Sequence, residues 1–130
     1  MKKIKEDAKN SPLKILLAED NIQSQKVALQ MLKKLGFSAD LAANGLEVLQ
    51  ALKRQRYDII LMDVRMPEMN GLEATRIIRQ RWPDNKPLII AITAYGLEGD
   101  REKCLDAGMN DYLSKPIKLK ELQIMLGKYK

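Results

Sequence analysis

The sequence predicts a doubly wound α/β domain, in which a five-stranded parallel β-sheet is covered by helices on both faces. Five short apolar runs alternate with segments of helical spacing, and successive βα units of this kind form parallel sheets. The third and fourth runs are apolar almost throughout, as expected for strands that are covered on both faces. The chain of 130 residues also has the size of one compact domain.

The chain is predicted to begin with a lead-in before the first strand. Residues 1–12 are polar and rich in lysine, which is typical of a flexible segment or the remnant of a linker. Residues 13–130 are predicted to form the folded domain. Its five strands are expected at residues 14–18, 38–43, 57–62, 88–94 and 111–114.

The first two helices are predicted from their caps and their apolar spacing. Asn21 is a candidate N-cap of the first helix, and Gly36 follows its end. Asn44, with Glu47 three residues later, resembles a capping box at the start of the second helix. The side chains expected to face the core are Val27, Met31, Leu32 and Leu35 in the first helix, and Val48, Leu49 and Leu52 in the second.

The last three helices have equally clear ends. The third begins near Asn70-Gly71 and stops around Trp82-Pro83, the fourth runs from about residue 99 to 107 before Gly108, and the fifth follows Pro116. The expected inward residues are Leu72, Ile77 and Ile78 in the third helix, and Leu119, Leu122, Met125 and Leu126 in the fifth.

The composition predicts a cytoplasmic protein, or the cytoplasmic part of a membrane-associated one, that contacts neither nucleic acid nor membrane directly. The net charge of +6 is scattered along the chain, and six aromatic residues offer no stacking platform for bases. The longest apolar run is far shorter than the ~20 residues that span a bilayer. Cys104 is the only cysteine, so no intramolecular disulfide can form, which fits a reducing compartment.

Ionisable residues follow several of the predicted strands. Glu19-Asp20 ends the first strand, Asp63 the third and Lys115 the fifth, whereas the end of the second strand carries nothing ionisable. Ligands bind beyond the carboxyl ends of parallel strands, where the strand order reverses. The second strand, whose end carries no ionisable residue, is therefore expected at the edge, beside the first. This gives the flavodoxin-like order 2-1-3-4-5.

This order would bring three carboxylates into one crevice. Like charges at close range repel unless a cation lies between them. The available ligands are oxygens and the chain has no histidine, so Mg²⁺ fits better than zinc. The alternative interpretation is that Glu19-Asp20 is only a solvated turn and helix cap.

Two further residues suggest what the crevice does. Lys115 and Thr93, beside the carboxylates and a metal, would form a set that binds an oxyanion. Phosphoryl transfer needs mainly such positioning and charge neutralisation, and Asp63 could serve as its nucleophile. Taken singly, Lys115 could be a surface cation and Thr93 an ordinary strand residue.

Four motifs carry a family resemblance. They are "LLAEDN", "DIILMDVRMPEMNGLEATRIIR", "AITA" and "GDREKCLDAGMNDYLSKPI", in this order along the chain. From about Leu13 to Lys128 the sequence resembles a response-regulator receiver domain of two-component signalling. It is most similar to receivers of hybrid sensor histidine kinases, whose expected partner is a histidine kinase or a histidine phosphotransfer domain.

The resemblance implies a role for each site residue. Asp63 would accept a phosphoryl group from a partner's phosphohistidine. Mg²⁺ would bind Glu19, Asp20, Asp63 and the backbone carbonyl of Arg65.

The resemblance also implies a switch that responds to the phosphoryl group. Thr93 and Lys115 would contact the phosphoryl oxygens, and the Lys115–Pro116 peptide bond would be cis. Tyr112 would change rotamer and so alter the face formed by the fourth helix, fifth strand and fifth helix.

Some residues depart from the pattern of hybrid-kinase receivers. Ser24 stands where asparagine is common before Gln25, near the expected docking surface of the phosphoryl donor. Arg65 and Tyr95 are large residues two positions beyond Asp63 and Thr93. They should shield the acyl phosphate from water, which predicts a long-lived phosphoryl state.

Four other functions are alternatives to a hybrid-kinase receiver. A stand-alone response regulator is the first alternative. By itself a receiver would only phosphorylate and dephosphorylate itself, whereas a full-length hybrid protein would be a histidine kinase. A Mg²⁺-dependent phosphohydrolase is disfavoured because Arg65 occupies the position where many such enzymes have a general acid. A flavin carrier would need a phosphate-binding loop after the first strand. An adaptor that takes no phosphate would not need the complete set of site residues.

Overall fold

The computed structural model describes residues 13–83, 87–94 and 98–129, so the predicted lead-in and Tyr95 lie outside the described residues. Within these ranges five strands and five helices alternate along the chain, as predicted. The strands are β1 (Ile15–Ala18), β2 (Ala39–Ala42), β3 (Ile59–Asp63), β4 (Leu88–Thr93) and β5 (Asp111–Ser114). The helices are α1 (Ile22–Lys34), α2 (Gly45–Arg54), α3 (Gly71–Arg81), α4 (Glu98–Ala107) and α5 (Leu119–Tyr129).

The sheet has the predicted order β2-β1-β3-β4-β5, and all its pairings are parallel. Strand β2, which is followed by no ionisable residue, lies at one edge. Strand β1 is adjacent to β3, and the strand order reverses between them. Ala18 pairs with Met62, so the residues that follow β1 lie beside the end of β3. The fold prediction is therefore confirmed, although the bounds of several strands differ by one or two residues.

The core forms two apolar layers, one on each face of the sheet. Side chains of a strand point alternately to the two faces, and here α2, α3 and α4 cover one face while α1 and α5 cover the other. The strand residues of the first layer include Leu16, Ala18, Ile60, Met62, Ile89 and Ala91; those of the second include Ile15, Leu17, Ile59, Leu61, Ile90 and Ile92.

Two inward-facing predictions are wrong. Val27 in α1 is 50% exposed, because the buried side of α1 is defined by Ala28 and Leu32. At 100° per residue, Val27 lies about 140° around the helix from Leu32. Leu119 is 37% exposed, since it is the first residue of α5 and lies one turn before the first buried residue, Leu122.

Asparagine caps three of the helices. The side chains of Asn21, Asn44 and Asn70 each accept a hydrogen bond at 2.9 Å from a backbone N–H in the first turn. A complete capping box occurs at α3, where Glu73 also accepts from the N–H of Asn70. At α2 the prediction is only partly right, because Glu47 accepts from Ala43 and not from Asn44.

One arginine connects α3 to the two neighbouring chain segments. The guanidinium of Arg79 donates to the carbonyls of Gly108 and Pro87 and to Oδ1 of Asn110, each at 2.8 Å. Asn110 in turn accepts from the N–H of Ile89. Arg79 thus joins the end of α3 to the start of β4 and to the α4–β5 loop.

Candidate functional site

The predicted carboxylates lie together at the carboxyl end of the sheet. Glu19 follows β1 and Asp63 is the last residue of β3; they are only 2% and 5% exposed, whereas Asp20 is exposed. One oxygen from each of the three carboxylates lies within 4.8 Å of the others. Burial of two acids this close together is unfavourable unless positive charge compensates them.

Lys115 supplies part of that charge. Its Nζ lies 2.9 Å from Oε1 of Glu19 and 2.9 Å from Oδ2 of Asp63. Burial lowers the pKa of Lys115, but the hydrogen bonds and charges of Asp63 and Glu19 outweigh burial and raise the pKa above its usual value. Lys115 is therefore a cation at neutral pH and connects the end of β5 to the ends of β1 and β3.

Backbone contacts position Lys115 and Asp63. The N–H of Lys115 donates to the carbonyl of Thr93 at 2.7 Å, and the Lys115–Pro116 peptide is cis, as the resemblance implied. Oδ1 of Asp63 accepts from the N–H of Arg65 at 3.2 Å. Both carboxylate oxygens of Asp63 thus face a hydrogen-bond donor, so the carboxylate of the candidate nucleophile is fixed in one orientation.

The two other predicted residues lie on β4 and β5. Thr93 is 5% exposed and is the last residue of β4, one position beyond the residue that pairs with Asp63. Tyr112 pairs with Ala91 in the sheet and is half-buried. The guanidinium carbon of Arg101, on α4, lies 5.3 Å from the centroid of the Tyr112 ring. Tyr112 therefore connects β5 with α4.

The turn that carries Glu19 and Asp20 is stabilised from both sides. The N–H of Glu19 donates to the carbonyl of Ala42 at 2.9 Å. The carbonyl of Glu19 accepts from the side-chain amide of Gln25, on α1, at 2.6 Å. The sequence marks Gln25 only as part of a family pattern. No feature of the sequence pointed to this contact, because it joins a side chain to the backbone across a turn.

The β3–α3 loop closes tightly behind Asp63. The N–H of Gly71 donates to the carbonyl of Val64 at 2.9 Å. Glu68 has a positive φ of 67°, within a tight turn in which the N–H of Met69 donates to the carbonyl of Pro67 at 2.7 Å. The loop therefore packs against the backbone of Asp63, the candidate nucleophile.

The same loop is joined to α2. The carbonyl of Met69 accepts from the N–H of Gly45 at 2.8 Å, at the first residue of that helix. A Cβ added at Gly45 would lie 2.7 Å from both Cγ and O of Met69, so the two segments are in close contact.

The donor set fits a hard divalent cation. Glu19, Asp20 and Asp63 offer oxygen ligands only, and such ligands suit Mg²⁺ or Ca²⁺ rather than zinc. Three carboxylates against one lysine also leave net negative charge for a cation to neutralise. The carboxylates can therefore bind a metal ion. The predicted contribution of the Arg65 carbonyl stays a prediction.

Among the helices whose residues the structure describes, none is long and apolar enough to cross a membrane.

Comparison with protein families and curated proteins gives consistent matches. The family model described as the response regulator receiver domain matches residues 15–127. Hybrid signal transduction histidine kinases K and G of Dictyostelium discoideum are 42% and 45% identical over 118 and 120 residues, which cover 85% and 90% of this chain. These matches span only 10% and 4% of the two relatives' own lengths.

Solved structures share the fold over nearly the whole chain. The receiver domain of a sensor histidine kinase from Pseudomonas aeruginosa is 49% identical, with a TM-score of 0.83 over 92% of this chain and 98% of that one. Its crystal structure has a magnesium ion coordinated in the active site cleft. A response-regulator receiver domain from Saccharomyces cerevisiae, crystallised with a histidine phosphotransfer signalling protein, is 32% identical, with a TM-score of 0.84 over 91% of this chain and 88% of that one.

Proposed function

This chain belongs to the response regulator receiver domain family, and from that premise we propose that it is a signalling switch in which Asp63 accepts a phosphoryl group from a phosphohistidine of a partner protein. One observation carries the assignment of Asp63. It is a 5% exposed carboxylate at the end of the central strand β3, in contact with Lys115 and close to two other acids. A buried strand restricts the motion of this nucleophile.

The chemistry requires little beyond positioning and charge. A carboxylate oxygen of Asp63 attacks the phosphorus, the P–N bond to the donor imidazole breaks, and an acyl phosphate forms on Asp63. The Nζ of Lys115, 2.9 Å from Oδ2, is close enough to pair with a phosphoryl oxygen. We assign the hydroxyl of Thr93, at the end of β4, to the same role.

We propose that Mg²⁺ binds Glu19, Asp20, Asp63 and the backbone carbonyl of Arg65. The three carboxylates support this assignment, as does the magnesium ion in the related Pseudomonas aeruginosa receiver. When bound, the ion neutralises negative charge on the carboxylates and on the incoming phosphoryl oxygens. Lys115 already compensates part of that charge, so the site can form before the metal binds.

Tyr112 is proposed to report phosphorylation to the surface. It is half-buried on β5, near Thr93 in the sheet, and it contacts Arg101 of α4. A rotation of its ring, once Thr93 contacts the phosphoryl group, would break the Arg101 contact and alter the face formed by α4, β5 and α5. This is a two-state switch biased by a local change in charge.

We propose that residues 13–130 are one receiver and that residues 1–12 join it to a preceding domain of a hybrid histidine kinase. The named relatives are large hybrid kinases of which this chain matches a small part. A stand-alone response regulator is the alternative. The only catalysis proposed for the chain itself is self-phosphorylation and self-dephosphorylation. A cytoplasmic location is proposed from the single cysteine.

A small acyl-phosphate donor tests the proposed function directly. Wild-type protein incubated with acetyl phosphate and Mg²⁺ should gain the mass of one phosphoryl group, and hydroxylamine should remove it, because acyl phosphates are labile to that nucleophile. Peptide mapping should locate the modification at Asp63. No mass gain at saturating Mg²⁺, or modification of another residue, would refute the proposal.

The donor protein is proposed to dock beside α1. A cavity of about 560 Å³ between α1 and the β5–α5 loop adjoins the site and is lined by Val27, Ala28, Pro116 and Ile117, among others. Val27 is 50% exposed at this cavity, and Ile22, also on α1, is 65% exposed. These apolar side chains could bind the partner that presents the phosphohistidine to Asp63.

Val27→Glu should therefore slow phosphorylation by a donor protein but not phosphorylation by acetyl phosphate. We expect transfer from a phosphorylated histidine phosphotransfer protein to slow about 10-fold or more, because a charge would be desolvated in the interface. Phosphorylation by acetyl phosphate, which needs no docking surface, should be unchanged. Ile124→Glu is the matched control, since Ile124 is 57% exposed on α5, away from that cavity. Equal transfer rates in the two variants would exclude docking at Val27.

A further inference from the structure

The side chain of Gln25 makes a contact that no catalytic role explains. Its Nε2 donates to the backbone carbonyl of Glu19 at 2.6 Å, although the two residues are six positions apart. Gln25 is the fourth residue of α1 and is half-buried, unlike the exposed Gln23 and Gln30 of the same helix. This amide therefore connects the helix to the turn that carries two of the proposed metal ligands.

The peptide groups of Glu19 are bonded on both sides of the turn. β1 ends at Ala18, so the carbonyl of Glu19 lies beyond the strand that pairs with β3. On the other side, the N–H of Glu19 still bonds to Ala42 at the end of β2. The Glu19 peptide is thus bonded to β2 through its N–H and to α1 through its carbonyl.

The side chain of Glu19 depends on the same backbone orientation. Its Oε2 accepts from the N–H of Asn21 at 3.1 Å, and its Oε1 lies 2.9 Å from Nζ of Lys115. The peptide that follows the Glu19 carbonyl leads directly to Asp20, which is exposed. A rotation at the Glu19 carbonyl would move both carboxylates relative to Asp63.

From these contacts we propose that Gln25 is a positioning residue for the metal site: its amide fixes the Glu19 carbonyl and so orients the carboxylates of Glu19 and Asp20 toward Asp63. The proposal rests on the proposed Mg²⁺ site. Groups that orient metal ligands from outside the first coordination sphere commonly alter metal affinity 10-fold or more. Gln25 would act in this way through a backbone carbonyl.

Gln25→Met removes the hydrogen bond that the side-chain amide donates and changes little else. Methionine has a similar length and flexibility but cannot donate, so the packing of this half-buried side chain should be preserved. We expect the Mg²⁺ dissociation constant, measured by NMR titration of backbone amides in the unphosphorylated protein, to rise about 10-fold. The amide signals of Asp20 and Asn21 should already shift in the absence of metal, because the turn relaxes.

A kinetic measurement separates positioning from a general loss of structure. With acetyl phosphate as donor, Gln25→Met should need about 10-fold more Mg²⁺ for half-maximal phosphorylation, whereas the rate at saturating Mg²⁺ should stay within about twofold of the wild type. A variant damaged throughout would have a lower maximal rate. Gln30→Met, which changes an exposed glutamine of the same helix, should match the wild type in both measurements.

The outcomes distinguish this inference from the proposed function. If Gln25→Met and Gln30→Met bind Mg²⁺ as tightly as the wild type, Gln25 has no positioning role. A reduced maximal rate with unchanged Mg²⁺ affinity would also overturn it. If the wild type binds no Mg²⁺, or binds it equally well as Asp63→Asn, the proposed metal site itself is wrong. Gln25→Leu, which also cannot donate and adds no charge, replaces Gln25→Met if the latter does not fold.

Discussion

Asp63→Asn should abolish phosphorylation by both acetyl phosphate and a phosphohistidine donor. Asparagine has nearly the same shape as aspartate, but its neutral amide cannot act as the nucleophile. The loss should be complete within detection, not partial, because Asp63 alone among the three acids is the last residue of the central strand β3. Intact-protein mass spectrometry after incubation with donor and Mg²⁺ measures the result.

The folded state should survive this change. Asp63→Asn removes one ion pair with Lys115 but also removes repulsion from two neighbouring acids, and Lys115 keeps its contact with Glu19. The two effects oppose each other and Lys115 is not left unpaired, so we expect only a small change in the free energy of unfolding. Asp106→Asn, an exposed substitution on α4, is the control and should be phosphorylated normally. Phosphorylated Asp63→Asn would show that another residue is the acceptor.

Gly71→Ala should be destabilising, although alanine is the better helix former. A Cβ at this first residue of α3 would lie 2.3 Å from the carbonyl oxygen of Asp63, 2.9 Å from Cγ of Met62 and 3.1 Å from Cα of Val64. The two closest atoms belong to β3, so the helix or the strand must shift. Overpacking of this kind typically costs about 1–3 kcal/mol, which exceeds the gain of at most about 1 kcal/mol from helix propensity.

The same substitution should also impair phosphorylation. The clash is with the backbone of Asp63 itself, and small displacements of a reacting group can reduce a rate by 10-fold or more. Gly127→Ala in α5 is the matched control, since a Cβ there meets nothing within 4 Å and should stabilise the protein by about 0.5–1 kcal/mol. Chemical denaturation and acetyl-phosphate kinetics of both variants provide the comparison. Gly71→Ala as stable and active as wild type would contradict the packing described.

The fold and the composition of the site could be predicted because the sequence encodes them in side-chain types. The apolar run before Asp63 defines a strand covered on both faces, and the ionisable residues that follow other strands indicate which strands meet. Lys115 and the acids end in contact because parallel strands bring their carboxyl ends to one edge. The strand order could thus be predicted from the ionisable residues at the strand ends as well as from the apolar runs.

Other features could not be predicted because they depend on rotation and on backbone contacts. Helical spacing shows that α1 has an apolar face, but not that Ala28 rather than Val27 faces the sheet. The Gln25 contact with the Glu19 carbonyl, and the bond between Met69 and Gly45, involve backbone atoms that every residue possesses. Residue type therefore carries no signal for such contacts, and only the folded chain reveals them.

The ion pairs of Lys115 also have a consequence for the order of folding. Glu19, Asp63 and Lys115 come from the beginning, middle and end of the domain, so their contacts close very long loops in the chain. Such contacts form only when the intervening segments are already in place. A chain that lacks its last strand, for example during synthesis, would lack the Lys115 ammonium between the two buried acids. Competence to receive a phosphoryl group should therefore arise only after β5 has joined the sheet, so that a partner kinase modifies completed domains and not folding intermediates.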